Sequence, residues 1–279
     1  MTGPLDASVP GMTRVVVAGA TGWTGRAIVE GVLTASDLQL SGAVARRAAG
    51  QDLGTALGRE PVGVSVSASV EDALGRADVL VDFTSHEVAR EHALAAVAAG
   101  VHVVIGTSGL AAEDFEVIDR AARDAEVGVV AAGNFSLTAA MAQAAALLVA
   151  PHLPRREIVD YASAGKADAP SGTARELAER LGEVAPAQPA DVAVADTSGL
   201  REARGATVAG TQVHSVRLPG FVVSTEVVFA LPDERLVIRH DAGPTPQPYV
   251  AGTLLAIRAA PGRTGLVRGL DTLLLGREA

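Results

Sequence analysis

A β-branched run, Thr13–Ala18 (TRVVVA), leads directly into glycines at positions 19, 22 and 25 (GATGWTG). Behind them Arg26–Leu33 carries apolar residues at helical spacing. Nothing else in the chain narrows the choice of fold as far. A strand that ends in a glycine turn and opens a helix is the first half of a βαβ unit, and such units build parallel sheets. In that setting Gly19 permits the tight exit from the strand, Gly22 lets backbone approach a pyrophosphate, and Gly25 lets the helix pack closely on the sheet. The helix N-terminus then offers N–H donors to the phosphates. The spacing is GxxGxxG rather than the usual GxGxxG, and taken alone it also fits a plain tight turn. Its position between strand and helix predicts a dinucleotide held by Gly19, Thr21, Gly22, Trp23, Thr24 and Gly25.

The second strand, Leu38–Val44, is followed by Ala45-Arg46-Arg47. An acidic residue there would accept the ribose hydroxyls of NAD. Arg46 and Arg47 instead favour the 2′-phosphate of NADP, so NADPH is the expected cofactor, with NADH possible. Further apolar strands at Asp78–Phe83, Val101–Ile105 and Val127–Ala131 alternate with helices at Val70–Ala77, Glu87–Ala99 and Glu113–Ala125. That alternation predicts an α/β fold, a Rossmann-like parallel sheet covered on both faces. Ligands bind at the carboxyl ends of such strands, which brings Phe83, Thr84, Gly106, Thr107, Asn134 and Phe135 into the expected cofactor site.

After Asn134 the rhythm changes. A helix over Leu137–Val149, a strand over Arg156–Tyr161 and a helix over Thr173–Leu181 precede three strands without helices between them, at Ala206–Arg217, Phe221–Leu231 and Arg235–Asp241. This predicts a second, α+β domain over residues 134–248. The first domain then spans 13–133 plus about 249–279, with a helix over Val250–Arg258, and residues 1–12 form a disordered tail. In the second domain, Ser171, Gly172 and Thr173 offer backbone N–H groups and hydroxyls at a helix start, an arrangement that suits a carboxylate. Lys166 adds a cation and a proton donor. The plain alternative is an exposed loop ahead of an N-capped helix.

Composition removes other classes. The 279 residues carry a formal charge of −9, no cysteine and 6 histidines. The acidic balance argues against a nucleic-acid partner. Without cysteine there is no disulfide, thiolate metal site or cysteine nucleophile, and no histidine pair has ligand spacing, so no metal is expected. The polar start lacks the basic and apolar regions of a signal peptide, and no apolar run is long enough for a membrane span. A cytoplasmic protein with no membrane partner is expected.

The ordered set GATGWTG, DFTS, GTSG, GNFS, KADAPSGTA, VHSVRLPG and LVIRHD resembles the 4-hydroxy-tetrahydrodipicolinate reductase family over about Arg14 to Arg258. The resemblance implies a Rossmann-like domain joined to an α+β domain that binds substrate and builds a homotetramer. It implies NAD(P)H-dependent reduction of a small imino acid in lysine and diaminopimelate biosynthesis, with cofactor at Gly19–Gly25 and substrate at Lys166 and Ser171–Thr173. One departure bears on the chemistry. The family has two histidines ahead of this lysine, the first assigned as the acid, and this chain has Ala162 and Ser163 there. Lys166 or an ordered water then becomes the expected proton donor, with Ser163 shaping the substrate site. Two alternatives stay open: a paralogous reductase of a different small imine or enamine acid, and a non-catalytic NADP-binding sensor.

Overall fold

A computed structural model describes residues 11–276 of the chain. Apart from Gly11 and Met12, the tail expected over 1–12 lies outside the described residues. The chain divides into two compact units, one running up to Phe135 and resuming at Tyr249, the other spanning Ser136–Pro248.

The first unit opens with β1 (Thr13–Ala18), α1 (Trp23–Thr34), β2 (Leu38–Val44), α2 (Leu53–Ala56), β3 (Val66–Ser67), α3 (Val70–Leu74) and β4 (Val79–Asp82). It continues through α4 (His86–Ala98), β5 (His102–Ile105), α5 (Ala112–Asp124) and β6 (Gly128–Ala131). The second unit holds α6 (Leu137–Val149), β7 (Arg156–Ala162), α7 (Gly172–Val184), β8 (Ala206–Val208), β9 (Thr211–Arg217), β10 (Val223–Leu231) and β11 (Glu234–Asp241). The chain then returns to the first unit with α8 (Pro248–Ala259), β12 (Gly265–Arg268) and α9 (Leu270–Leu274).

The first sheet has the order β12-β6-β5-β4-β1-β2-β3, and every neighbouring pair is parallel. Its central strands are apolar on both faces, with Val15, Val16, Val17, Leu80, Val81, Val103 and Val104 fully buried, as helices on both sides require. The returning chain is tied in closely. A Cβ on Gly31 of α1 would lie 2.5 Å from Val250 of α8, and Arg258 pairs with Asp37 at 2.6 Å.

The second sheet has the order β11-β10-β7-β9-β8. Only β7 and β9 run parallel, so the sheet is mixed, as the bunched strands predict. β7 alternates strictly between buried and half-buried residues. Ile158, Val213, Val227 and Phe229 of the sheet pack against Leu147, Leu177 and Leu181 of the helices.

Several expectations change. The single strand expected over Ala206–Arg217 is a hairpin, because Ala209 and Gly210 both take positive φ (45° and 80°) and turn the chain between β8 and β9. The helix expected over Val70–Ala77 ends at Leu74, where Gly75 takes φ +38°. α1 begins at Trp23, within the glycine turn, rather than at Arg26. Sequence reading missed β3, β12, α2 and α9, all too short to show a period.

Candidate functional site

The glycine turn of the first unit separates into two kinds of position. A Cβ on Gly19 (φ +80°) would lie 2.3 Å from the carbonyl oxygen of Phe83, and one on Gly25 would lie 2.0 Å from that of Gly19. The fold itself demands both glycines. Gly22, the exposed N-cap of α1, would meet only the Gly19 oxygen, at 3.1 Å, so the fold alone does not demand it there. Without a side chain it leaves the helix start bare. No side chain caps α1 and no acid stands in its first turn, so the arrangement fits a pyrophosphate. Thr21 and Thr24 are half-buried and Trp23 is exposed, its ring edge-on to Tyr249 at 6.1 Å. Arg26 braces the turn by donating from Nε to the Thr21 carbonyl at 2.9 Å, a contact that no motif announces. Arg46 and Arg47 are exposed on a short turn after β2, and neither pairs with an acidic side chain among the described residues.

At the ends of β4 and β5, the expected residues are gathered by one that sequence reading passed over. Asp82 is fully buried. Its Oδ1 accepts the Thr84 N–H at 3.0 Å, the Thr84 hydroxyl at 2.7 Å and the Thr107 hydroxyl at 2.5 Å, while its Oδ2 meets His92 Nδ1 of α4 at 2.7 Å. Burial opposes ionisation, but the bonds from His92, Thr107 and Thr84 outweigh it and hold the carboxyl below its ordinary range. The two threonine hydroxyls are therefore turned inward, fixing the loops, so any ligand here meets chiefly their backbone and methyl groups. Gly106 is small because a Cβ there would lie 2.1 Å from the Phe83 ring. Phe83 in turn packs edge-on to Phe135 at 5.8 Å. Phe135 is 1% exposed, so it supports this surface rather than forming it, whereas Asn134 is half-buried at the strand end.

The second unit repeats the device. Asp160 of β7 is fully buried, on the inward face with Arg156 and Ile158. It accepts the Ser171 N–H at 2.8 Å and the Ser171 hydroxyl at 2.7 Å. Ser215 and Arg217 of β9 also donate to its Oδ2, at 3.2 and 2.9 Å. Ser171 additionally caps α7 by accepting the Ala174 N–H at 3.3 Å. Ser171 thus makes its bonds within the protein. The half-buried Gly172 and Thr173 in the first turn of α7 are better placed to meet an anion. Lys166 lies in the loop before α7, its Nζ 2.8 Å from Asp168 Oδ1. Ser163 is exposed in the same loop, and Ala162, where a family histidine is expected, is fully buried at the end of β7. Asp82, His92, Asp160, Ser215 and Arg217 escaped sequence reading. The usable signal was an acid at a position whose alternation, or whose wholly apolar strand, marks it as buried.

Among the described residues no three His, Asp or Glu side chains cluster to hold a metal, and no helix is long and apolar enough to cross a membrane.

A parallel α/β unit with a glycine turn, carried with a mixed-sheet unit that bears a lysine ahead of a serine-capped helix, is the architecture of a dinucleotide-dependent oxidoreductase. Comparison with known proteins makes this specific. The profile of the dihydrodipicolinate reductase N-terminus matches residues 13–135, and that of the dihydrodipicolinate reductase C-terminus matches 133–274. The 4-hydroxy-tetrahydrodipicolinate reductase of Moorella thermoacetica is 40% identical over 267 residues, covering 94% of this chain and 97% of its own. That of Thermosynechococcus vestitus is 38% identical over 271 residues, covering 93% and 96%. A dipicolinate-bound dihydrodipicolinate reductase from Paenisporosarcina sp. TG-14 superposes with a TM-score of 0.73 at 29% identity, covering 94% of this chain and 99% of that one. The chain belongs to the dihydrodipicolinate reductase family and is an NAD(P)H-dependent oxidoreductase.

Proposed function

We propose that this chain reduces 4-hydroxy-tetrahydrodipicolinate to tetrahydrodipicolinate, with NADPH as the preferred donor, as a cytoplasmic homotetramer in lysine and diaminopimelate biosynthesis. The observation that carries the reading is that one chain bears both an uncapped glycine-turn helix start and the Lys166–Thr173 anion loop. NADPH, when bound, supplies hydride to the conjugated cyclic imine left when the substrate loses its 4-hydroxyl as water. Gly19–Gly25 would hold the pyrophosphate, with Trp23 beside it, and Arg46 and Arg47 the 2′-phosphate. The strand-end residues Phe83, Thr84, Gly106, Thr107 and Asn134 would line the rest of the cofactor.

The first-turn N–H groups of Gly172 and Thr173 receive a substrate carboxylate, and the Lys166 ammonium neutralises it. Lys166 also donates the proton that accompanies the hydride, directly or through a water, since neither Ala162 nor Ser163 can act as a histidine would. Ser163 borders the same loop and adjusts its fit to the ring.

A second reading rests on Ala162. Its side chain is fully buried at the end of β7, at the position where the family resemblance places the acid. A reductase of a different small imine or enamine acid would show the same loss. NADPH oxidation with the aldolase-generated substrate, set beside a panel of cyclic imines, decides between the two. A kcat/KM above about 10⁴ M⁻¹s⁻¹ on the dipicolinate precursor is expected, and a value below about 10² with a better alternative imine would sink the first reading. Lys166→Ala is expected to lower kcat by about 10²–10⁴-fold.

A further inference from the structure

Between the end of β7 and the start of α7, residues 163–171 have no regular secondary structure, yet they carry Lys166. Two ties hold this segment, and both run through one pair. Asp160 takes the backbone N–H and hydroxyl of Ser171 at one end. Arg217 Nη2 donates to the Asp168 carbonyl at 2.6 Å and to Asp160 Oδ2 at 2.9 Å. Asp168 is the residue whose carboxylate meets Lys166 Nζ at 2.8 Å. A continuous chain of contacts therefore runs Asp160–Arg217–Asp168–Lys166. Arg217 Nη1 also donates to the carbonyls of Asp160 and Val216, at 3.3 and 3.0 Å, and Nε is buried without a partner among the described residues, so both terminal nitrogens are engaged within the protein rather than offered to a ligand.

Charge adds a second reason for the pair. A buried carboxylate bonded to the N-cap of α7 would repel an anion at the same helix start, and in a low-dielectric surrounding that repulsion is strong. A guanidinium 2.9 Å from Asp160 cancels it without competing for the N–H groups of Gly172 and Thr173. A neutral hydrogen-bonding residue at 160 would make the same turn, so the carboxylate is informative: it recruits Arg217.

We infer that Arg217, seated on Asp160, is a positioning residue. It fixes the Asp168 segment that holds Lys166 and shields the α7 N-terminus from Asp160, so that the loop is set for a substrate carboxylate. The inference rests on the proposed function of this loop, and the test separates the two. Arg217→Lys keeps the charge and loses the fork. Arg217→Met loses both, and Asp160→Asn removes the seat.

The probes are pyridine-2,6-dicarboxylate for binding and the aldolase-generated cyclic imine for turnover, with NADPH affinity measured alongside. Removing a charge-assisted hydrogen bond predicts a KM increase for the imine, and weaker dicarboxylate binding, of about 10–100-fold in Arg217→Met. Arg217→Lys should recover part of that loss and Asp160→Asn should fall between them, with NADPH affinity unchanged within about twofold. A residue that only supports the fold would lower the melting temperature of the variants and leave the KM of the folded fraction alone. That result overturns the inference, as does failure of all three variants to fold. A wild-type chain that neither binds the dicarboxylate nor turns over the imine overturns the proposed function, and the inference with it. A wild type that does both, with variants equal to it, overturns the inference alone.

Discussion

Asp82 and Asp160 occupy matching stations in two unrelated sheets. Each is fully buried near the carboxyl end of a strand, and each gathers the N–H and hydroxyl of a residue in a loop of the proposed site. They differ in what answers the charge. Asp82 faces two threonine hydroxyls and a ring nitrogen, Nδ1 of His92. Asp160 faces the guanidinium of Arg217. The first carboxylate binds two loops of a parallel sheet by accepting from mostly neutral donors, where the expected ligand is held largely by backbone. The second organises the loop for which an anion is proposed, where an unanswered negative charge would be costly. The same building block is thus adapted to each site through its counter-ion.

The largest expected effect is on stability. Asp160→Ala strands the Arg217 charge and should cost about 3–5 kcal/mol. Asp82→Ala strands mainly neutral donors and should cost about 1–3 kcal/mol. Urea unfolding of the two variants measures both, and the reverse order would dissolve the distinction between a guanidinium partner and a set of mostly hydroxyl partners. Next in size is an asymmetry within the lysine loop. Ala162→His forces an imidazole into a fully buried site and should destabilise by about 1–3 kcal/mol or more without restoring activity, whereas the exposed Ser163→His should leave the melting temperature nearly unchanged. A thermal melt of each variant checks this.

A smaller effect, about tenfold, is expected from Arg46→Glu on the dissociation constant of NADPH relative to NADH, read by fluorescence titration. An unchanged ratio would remove Arg46 from cofactor choice. Smallest is the acid limb. The Asp82 carboxyl is held below its unfolded value of about 3.9, so its contribution is complete above that pH and is lost as pH falls through the folded value, where the unfolded chain takes up the proton first. Asp82→Asn should therefore flatten the pH dependence of stability below about pH 4. An unflattened curve would mean that other carboxylates carry the acid transition.

The parallel sheet was readable because its strands are uninterrupted apolar runs set between helices of several turns, and period and length agree there. β3, β12, α2 and α9 are of two to five residues and show no period to read. The glycine turn was legible as a motif with a role for each glycine, but the atoms each must clear were not. Gly25 answers to the Gly19 carbonyl and Gly106 to the Phe83 ring, both of which are contacts across the fold. The threonines and Ser171 were picked out as residues at strand ends and a helix start, and the structure places them there. Their hydroxyl directions were not legible, since these depend on Asp82 and Asp160, and the latter lies 11 residues from Ser171 in sequence. Within Arg156–Ala162 the alternation places Asp160 on the same face as Ile158, and a charge on a buried face is itself a sign of a partner elsewhere.

The first unit is interrupted by the second, and its α8 and β12 come only after Pro248. During synthesis the second unit, being contiguous, is complete and can fold while the first still lacks its final strand. Until β12 arrives, β6 presents an open sheet edge to the surroundings, and α1 lacks the cover that α8 gives it at Gly31. A nascent chain of this protein is therefore most exposed to wrong pairing late in its translation, on the side of the molecule that was made first.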